Sequence, residues 1–252
     1  MLRLAFFLFL LASFVHADEY DDLRAKWKDI IVGTGYNTAD PEVAAKLVSI
    51  ANSANNNWSS MDKSPTRTFL WSDNARTTIS AHITNTYNRL LAMAQAYATP
   101  GCSLHGDAAL LADIVSGLDW MYANRYGAST AQYDNWWDWE IGSPLRLTDI
   151  CVLLYDQLTS TQLTNYMNAV NFQTPTPDMT QANKVWKARV VGVRGCLVKS
   201  SAKLVLCRDA FSSVFPYVTT GDGYYTDGSF IQHTDHPYTA GYGASLIGTM
   251  AP

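Results

Sequence analysis

The chain has 252 residues, 48% hydrophobic and 16% charged, a composition that excludes a disordered polymer and supports one or two domains with a true core. Acidic side chains outnumber basic ones, 22 to 18, and the formal charge of −4 speaks against a nucleic-acid binder, whose affinity needs clustered positive charge. Eight tryptophans and 14 tyrosines suit either a long aromatic-lined cleft or an aromatic-rich helical core.

The first element is a leader. Met1-Leu2-Arg3 is a short basic lead, Leu4 to Val15 is an apolar run, and Val15-His16-Ala17 offers small residues for cleavage. This reads as a secretory signal peptide over residues 1–17, with a single domain over 18–252. The run is too short to span a bilayer. Export outside the cell makes Cys102, Cys151, Cys196 and Cys207 eligible for disulfides, whose pairing the sequence alone does not choose.

Helices follow. Leu23, Trp27, Ile30 and Ile31 recur at helical spacing until Gly33 and Gly35 stop them. Asp40-Pro41 predicts an N-cap with proline at the first helical position, ahead of an apolar face of Val43, Leu47, Ile50 and Ala54. Ile79, Ile83, Tyr87, Leu90, Leu91 and Ala94 form the longest stripe, closed by Pro100-Gly101; Leu110, Leu111, Ile114, Leu118 and Met121 form the fourth. Ser143-Pro144 predicts another cap, followed by Leu147, Ile150, Cys151, Leu154 and Leu158, and Ser160 opens a short helix with Leu163, Met167 and Val170. Gln181 to about Val198 and Lys203 to about Phe215 close the series. A turn at Ser200-Ser201 would set Cys196 and Cys207 on facing sides of a hairpin, within reach of a disulfide. Eight helices with mostly short connections imply antiparallel neighbours in a bundle, a solenoid or a closed ring.

Three stretches break the helical pattern: Asn55 to Ala75, Tyr122 to Gly142, and Thr219 to Gly243. Long ordered loops on a helical scaffold are where function usually sits. Within the second, Asn135-Trp136-Trp137 reads equally as an apolar floor for a sugar ring or as two core tryptophans plugging a helix junction. Asn183, at the start of a helix, is by itself most simply a cap or first-turn polar residue. The tail carries His233, Asp235, His236, Tyr238 and Tyr242. A metal site would pair His233 with His236 and a carboxylate, although i and i+3 in a loop is not the helical register of zinc enzymes. A glycosidase would use two of Asp138, Glu140, Asp222 and Asp227. A third chemistry needs no metal: tyrosine and histidine move a proton α to a carboxylate while an amide bonds the charge that develops. Composition does not rank these three.

The run Asn135-Trp136-Trp137-Asp138-Trp139-Glu140-Ile141-Gly142-Ser143-Pro144 resembles the aromatic-patch motif of polysaccharide lyase family 8, which includes hyaluronate, chondroitin AC and xanthan lyases. The stretch from Gly221 to His233, then Pro237 to Gly243, resembles the catalytic segment of the same family, and the order and spacing of the two motifs agree with it. The resemblance runs from about Asp18 to the end. It implies an all-α fold, an incomplete α/α toroid of antiparallel helical hairpins. Family members continue for several hundred residues past the point matching Pro252, through the last helices of the ring and β-sandwich domains, and place a further arginine and glutamate beyond that point. The implied activity is β-elimination at a uronic acid of an acidic polysaccharide such as hyaluronan, chondroitin or xanthan, with no metal or cofactor. Tyr242 matches the residue that removes the C5 proton and protonates the leaving oxygen, His233 the histidine that assists, and Asn183 the asparagine that neutralises the substrate carboxylate. Asn135, Trp136 and Trp137 match the residues that hold the chain. The expected partner is the acidic polysaccharide, bound by a secreted monomer that engages neither nucleic acid nor membrane. A non-catalytic glycan-binding module and a glycoside hydrolase on the same architecture are the alternatives.

Overall fold

The computed structural model describes residues 18–250; the leader expected over residues 1–17 lies outside the described residues. Nine α-helices make the scaffold among them: α1 (Glu19–Val32), α2 (Pro41–Ser59), α3 (Ala81–Ala98), α4 (Ala108–Asn124), α5 (Ser143–Leu153), α6 (Ser160–Gln173), α7 (Gln181–Leu197), α8 (Ser201–Ser212) and α9 (Ala244–Met250). The start signals are local. Asp18 accepts from the backbone of Tyr20 and Asp21 while Asp21 bonds back, a reciprocal capping box. Asp40 and Asp107 cap α2 and α4, and Pro41 sits where a missing N–H costs nothing. α6 opens at Ser160 as expected, capped by Thr159 with Gln162.

The helices form two curved layers. α3, α5, α7 and α9 stand side by side as an inner row, and α2, α4, α6 and α8 back them. α1 crosses the inner row, touching α3, α5 and α7. This is an incomplete α/α toroid, as the resemblance implies. Burial follows the layering: nearly every residue of α5 and most of α7 are buried, whereas α8 buries only Ala210. One continuous core runs between the layers through Tyr87, Leu90, Ile114, Leu118, Trp139, Ile150 and Val190. The sole sheet among the described residues is a three-stranded antiparallel scrap, β1 (Gly223–Tyr224), β2 (Phe230–Gln232) and β3 (His236–Pro237), with Gly223 opposite Ile231 and Gln232 opposite His236.

The α7–α8 turn falls at Ser200, as the cysteine spacing requires, yet all four thiols are free. The reason is stagger. Cys207 Sγ lies against Gly192, so close that a Cβ added to that glycine would stand 2.6 Å from the sulfur, and its nearest neighbour on α7 is therefore a full turn before Cys196. Burial, with Cys196 nearby, raises the Cys207 thiol to about 11 and removes the thiolate that exchange needs. Intact mass of the folded, non-reduced protein is expected to show four alkylatable thiols once unfolded; a loss of two hydrogens would contradict the geometry.

Candidate active site

The aromatic motif is not an extended loop. The chain turns helical at Trp136, passes through a π-helical stretch at Asp138–Gly142, and runs straight into α5. Single π turns inside helices recur at functional sites because they re-aim side chains without ending the helix. The segment is tied down at its base. Asp138, buried, accepts from Ser80 Oγ at 2.8 Å and Thr84 Oγ1 at 2.7 Å, and Asp134, held at φ 60°, takes the Ser80 N–H. The Asn135 amide oxygen accepts from the Trp137 N–H, and its own N–H donates to Ser80 Oγ. The helical turn separates the adjacent indoles. Trp136 points outward, 39% exposed, while Trp137 lies half-buried across the core. Gly142 permits that pose, since a Cβ there would stand 2.6 Å from the Trp137 ring. The Trp136 indole is thus open to solvent, whereas Trp137 packs on the core and also lines the cavity shared with Trp186. Trp136→Ala is expected to leave the unfolding midpoint within experimental error and to weaken oligosaccharide binding by about 1–3 kcal/mol, which calorimetric titration against the folded variant reads.

From Trp137 an aromatic row leads across the site. Its ring meets Trp186 of α7 edge-on at 6.4 Å; Trp186 meets Tyr242 at 5.7 Å; Tyr242 meets His233 at 5.1 Å and Tyr238 at 5.0 Å, both close to perpendicular. The Trp186 indole N–H donates to Thr249 of α9, which fixes the ring between the two inner helices. Asn183 lies on α7 three residues before Trp186, hence on the same face. It is buried, and its amide oxygen has no hydrogen-bond partner. A satisfied cap or first-turn residue would not leave a buried polar atom unpaired, because that costs about 1–3 kcal/mol. Trp137, Trp186, Tyr242, His233 and Tyr238 thus form one connected row, Asn183 shares the Trp186 face of α7, and Asn135 and Trp136 are exposed at the turn that leads to Trp137.

The tail owes its shape to Asp222. Its carboxylate accepts from Thr180 Oγ1 at 2.5 Å, Gln232 Nε2 at 3.0 Å and the Thr234 N–H at 2.6 Å, and its carbonyl accepts from Gln181 Nε2. One side chain so ties the turn bearing His233 to the start of α7 next to Asn183. His233 and Thr234 hold φ of 57° and 75°, a left-handed pair rare outside glycine and one that persists where the surroundings over-determine it. Tyr242 sits in a second π-helical stretch, Thr239–Gly243, whose Gly243 carbonyl accepts from the Tyr224 hydroxyl at 2.9 Å. Burial raises that hydroxyl above the ordinary tyrosine range, so it stays a donor. The sequence marks Asp222 only as a possible acid; its positioning role does not show there because its partners lie 42, 10 and 12 residues away.

The other chemistries fare differently. Each glycosidase carboxylate is committed to structure: Asp138 to Ser80 and Thr84, Glu140 to Lys187 at 2.7 Å, Asp222 to its three donors, and Asp227 to the Ser229 N–H and hydroxyl. His236 pairs with Asp235 rather than converging with His233 on a third ligand, and no group of three or more His, Cys, Asp or Glu is poised for a metal among the described residues.

Residues 27–251 match the polysaccharide lyase family 8 N-terminal α-helical domain. The chain is 42% identical over 239 residues to a xanthan lyase of Bacillus sp. (strain GL1), covering 93% of this chain and 26% of that protein. It is 36% identical over 238 residues to a hyaluronate lyase of Thermasporomyces composti, covering 93% and 30%. Among solved structures, a Paenibacillus xanthan lyase superposes with a TM-score of 0.89 at 47% identity, over 93% of this chain and 23% of that one. The Streptomyces coelicolor chondroitin AC lyase in complex with chondroitin sulphate superposes with a TM-score of 0.87 at 41% identity, over 93% and 32%. The chain thus spans about a quarter to a third of the length of these relatives.

Proposed function

The chain belongs to polysaccharide lyase family 8, and from that premise we propose that it is the helical catalytic portion of an exported lyase that cleaves a uronic-acid polysaccharide by β-elimination. The observation that carries the reading is the meeting of Tyr242 and His233 at 5.1 Å beside the face of α7 that bears Asn183, whose amide oxygen is buried without a partner. Tyr242 oxygen takes the C5 proton; the electron pair becomes the C4–C5 double bond; the C4–O bond breaks, and the departing oxygen receives a proton from the tyrosine. Abstraction beside a carboxylate would pile up charge, and Asn183 with His233 is suited to hydrogen-bonding that charge as it grows, usually the largest catalytic contribution in a water-poor site. Asn135, Trp136 and Trp137 hold the polymer. The leader over residues 1–17 directs export, and no described helix is long and apolar enough to cross a membrane.

The test is to incubate the protein with hyaluronan, chondroitin and xanthan and follow ultraviolet absorbance. Elimination leaves a conjugated double bond and absorbs; hydrolysis yields reducing ends without absorbance. Polymer binding with neither product would reassign the chain as a glycan-binding module.

A further inference from the structure

Beyond Trp137 and Trp186 the aromatic row opens into a cavity of about 400 Å³ on the inner face of the toroid, where Asn88 of α3, Arg146 and Asp149 of α5 and Arg189 of α7 converge. Two guanidinium groups share this space with one carboxylate. That carboxylate is already taken: Asp149 accepts from Arg189 at 2.6 Å and from the Trp27 indole N–H at 2.9 Å. Arg146 has only neutral partners, donating from Nε to the Asn88 amide oxygen at 2.8 Å and from Nη1 to the Gly142 carbonyl at 3.1 Å. Its guanidinium carbon lies 5.9 Å from the centre of the Trp137 ring. A positive group next to a sugar-sized aromatic face, held by neutral acceptors and lacking its own counter-ion, is the arrangement expected of an anion site.

We propose that Arg146, fixed by Asn88 and Gly142 beside Trp137, forms an oxyanion subsite that takes a carboxylate or sulfate ester of an acidic polysaccharide on a sugar other than the reacting uronate. The inference rests on the uronic-acid reading above and adds a second point of charge recognition to it. Placement fits the idea. Trp186 contacts Tyr242, Trp137 contacts Trp186, and Arg146 stands beside Trp137, so two indoles link the reacting centre to the subsite. Electrostatics point the same way. Burial first, and the neighbouring Arg189 charge second, press Arg146 toward its neutral form, and attraction to Asp149 and Asp138 offsets them only in part; a guanidinium stays charged at neutral pH, so a bound oxyanion relieves both penalties. With two guanidinium groups against one carboxylate the cavity carries an excess of positive charge, which concentrates anions whatever the net charge of the molecule.

Calorimetric titration of the wild type, Arg146→Gln and Asn88→Asp with three hexasaccharides tests this: one of hyaluronan carrying carboxylates only, one of chondroitin sulfate carrying both groups, and a neutral one of chitin. Asn88→Asp keeps Arg146 in place and cancels its charge with an adjacent carboxylate, so the test survives if Arg146→Gln proves unstable in thermal unfolding. Both variants are expected to lose about tenfold in affinity for the acidic ligand, the worth of one charge-assisted hydrogen bond, with a shallower salt dependence and unchanged affinity for the neutral control. Loss with both acidic ligands identifies a carboxylate, and loss with the sulfated ligand alone identifies a sulfate. Wild-type affinity for both acidic ligands in both variants, while Trp136→Ala weakens them, would overturn the subsite and leave the lyase reading intact. A wild type that binds neither acidic ligand would sink both.

Discussion

Tyr242→Phe is expected to lower elimination by at least ~10²-fold, the lower end of what a general acid–base group contributes. The substitution removes one oxygen and keeps the ring, so the contacts with Trp186, Tyr238 and His233 survive. Thermal unfolding and oligosaccharide binding should stay close to wild type while product absorbance falls. His233→Ala and Asn183→Ala should also depress turnover, and the three losses should not add, since groups that serve one transition state are strongly non-additive. Asn183→Ala carries a second signature. It deletes a buried amide whose oxygen is unpartnered in the folded chain, so stability should hold or rise slightly even as activity drops. Undiminished turnover in Tyr242→Phe would remove the tyrosine from the mechanism, whereas a drop matched by a collapse of the unfolding midpoint would make it a packing residue.

The scaffold is legible in the sequence because helical periodicity and capping are local. Asp40-Pro41, the 79–94 stripe and the Gln181 start each become the expected helix to within a few residues. The places where local reading fails are those where distant groups decide. Ser143-Pro144 reads as a cap, yet the helix begins at Trp136, because Asp138 reaches back to Ser80 and Thr84 across more than 50 residues and pulls the motif into a π turn. α9 lies past the irregular tail that ends at Gly243 and shows no element in the sequence, since its seven residues, with glycine in the middle, carry too little periodicity to register; Leu246 is buried against α7 all the same. The tail strands are only two or three residues long, below any alternation a sequence can display, and are set by pairing. The site residues are legible only through the motif resemblance. Asn183 by itself reads as an ordinary first-turn residue; its burial with an unpaired oxygen is a tertiary fact. Of the two charged residues that tie the segments together, Asp222 reads in the sequence only as a possible acid, and Lys187 looks like any other charged residue in the chain.

Lys187 carries the second large expectation. It is 1% exposed, on α7 one turn past Asn183, and its ammonium bonds Glu140 Oε2 at 2.7 Å and pairs with Asp178 of the loop that leads into α7. Glu140 follows Trp137 by three residues, and its other oxygen accepts from Gln132, whose amide also bonds Gln173. The ion pair therefore bolts the aromatic segment to the helix bearing Asn183. Lys187→Met keeps the stem and deletes the charge, which strands Glu140 in a mostly buried setting; breaking such a pair from one side costs about 3–5 kcal/mol. The lower end applies here, because Glu140 keeps its bond to Gln132 and some access to water. Even about 3 kcal/mol is a large share of the stability of an ordinary domain, so urea unfolding should shift strongly. Adding Glu140→Gln to Lys187→Met should restore much of the loss, because an amide does not leave a bare charge behind. If the double variant is as unstable as the single one, stem packing and not the charge pair is what Lys187 supplies. If it recovers stability and still binds oligosaccharide less tightly than wild type, the ion pair also sets the position of the aromatic segment against the amide of Asn183.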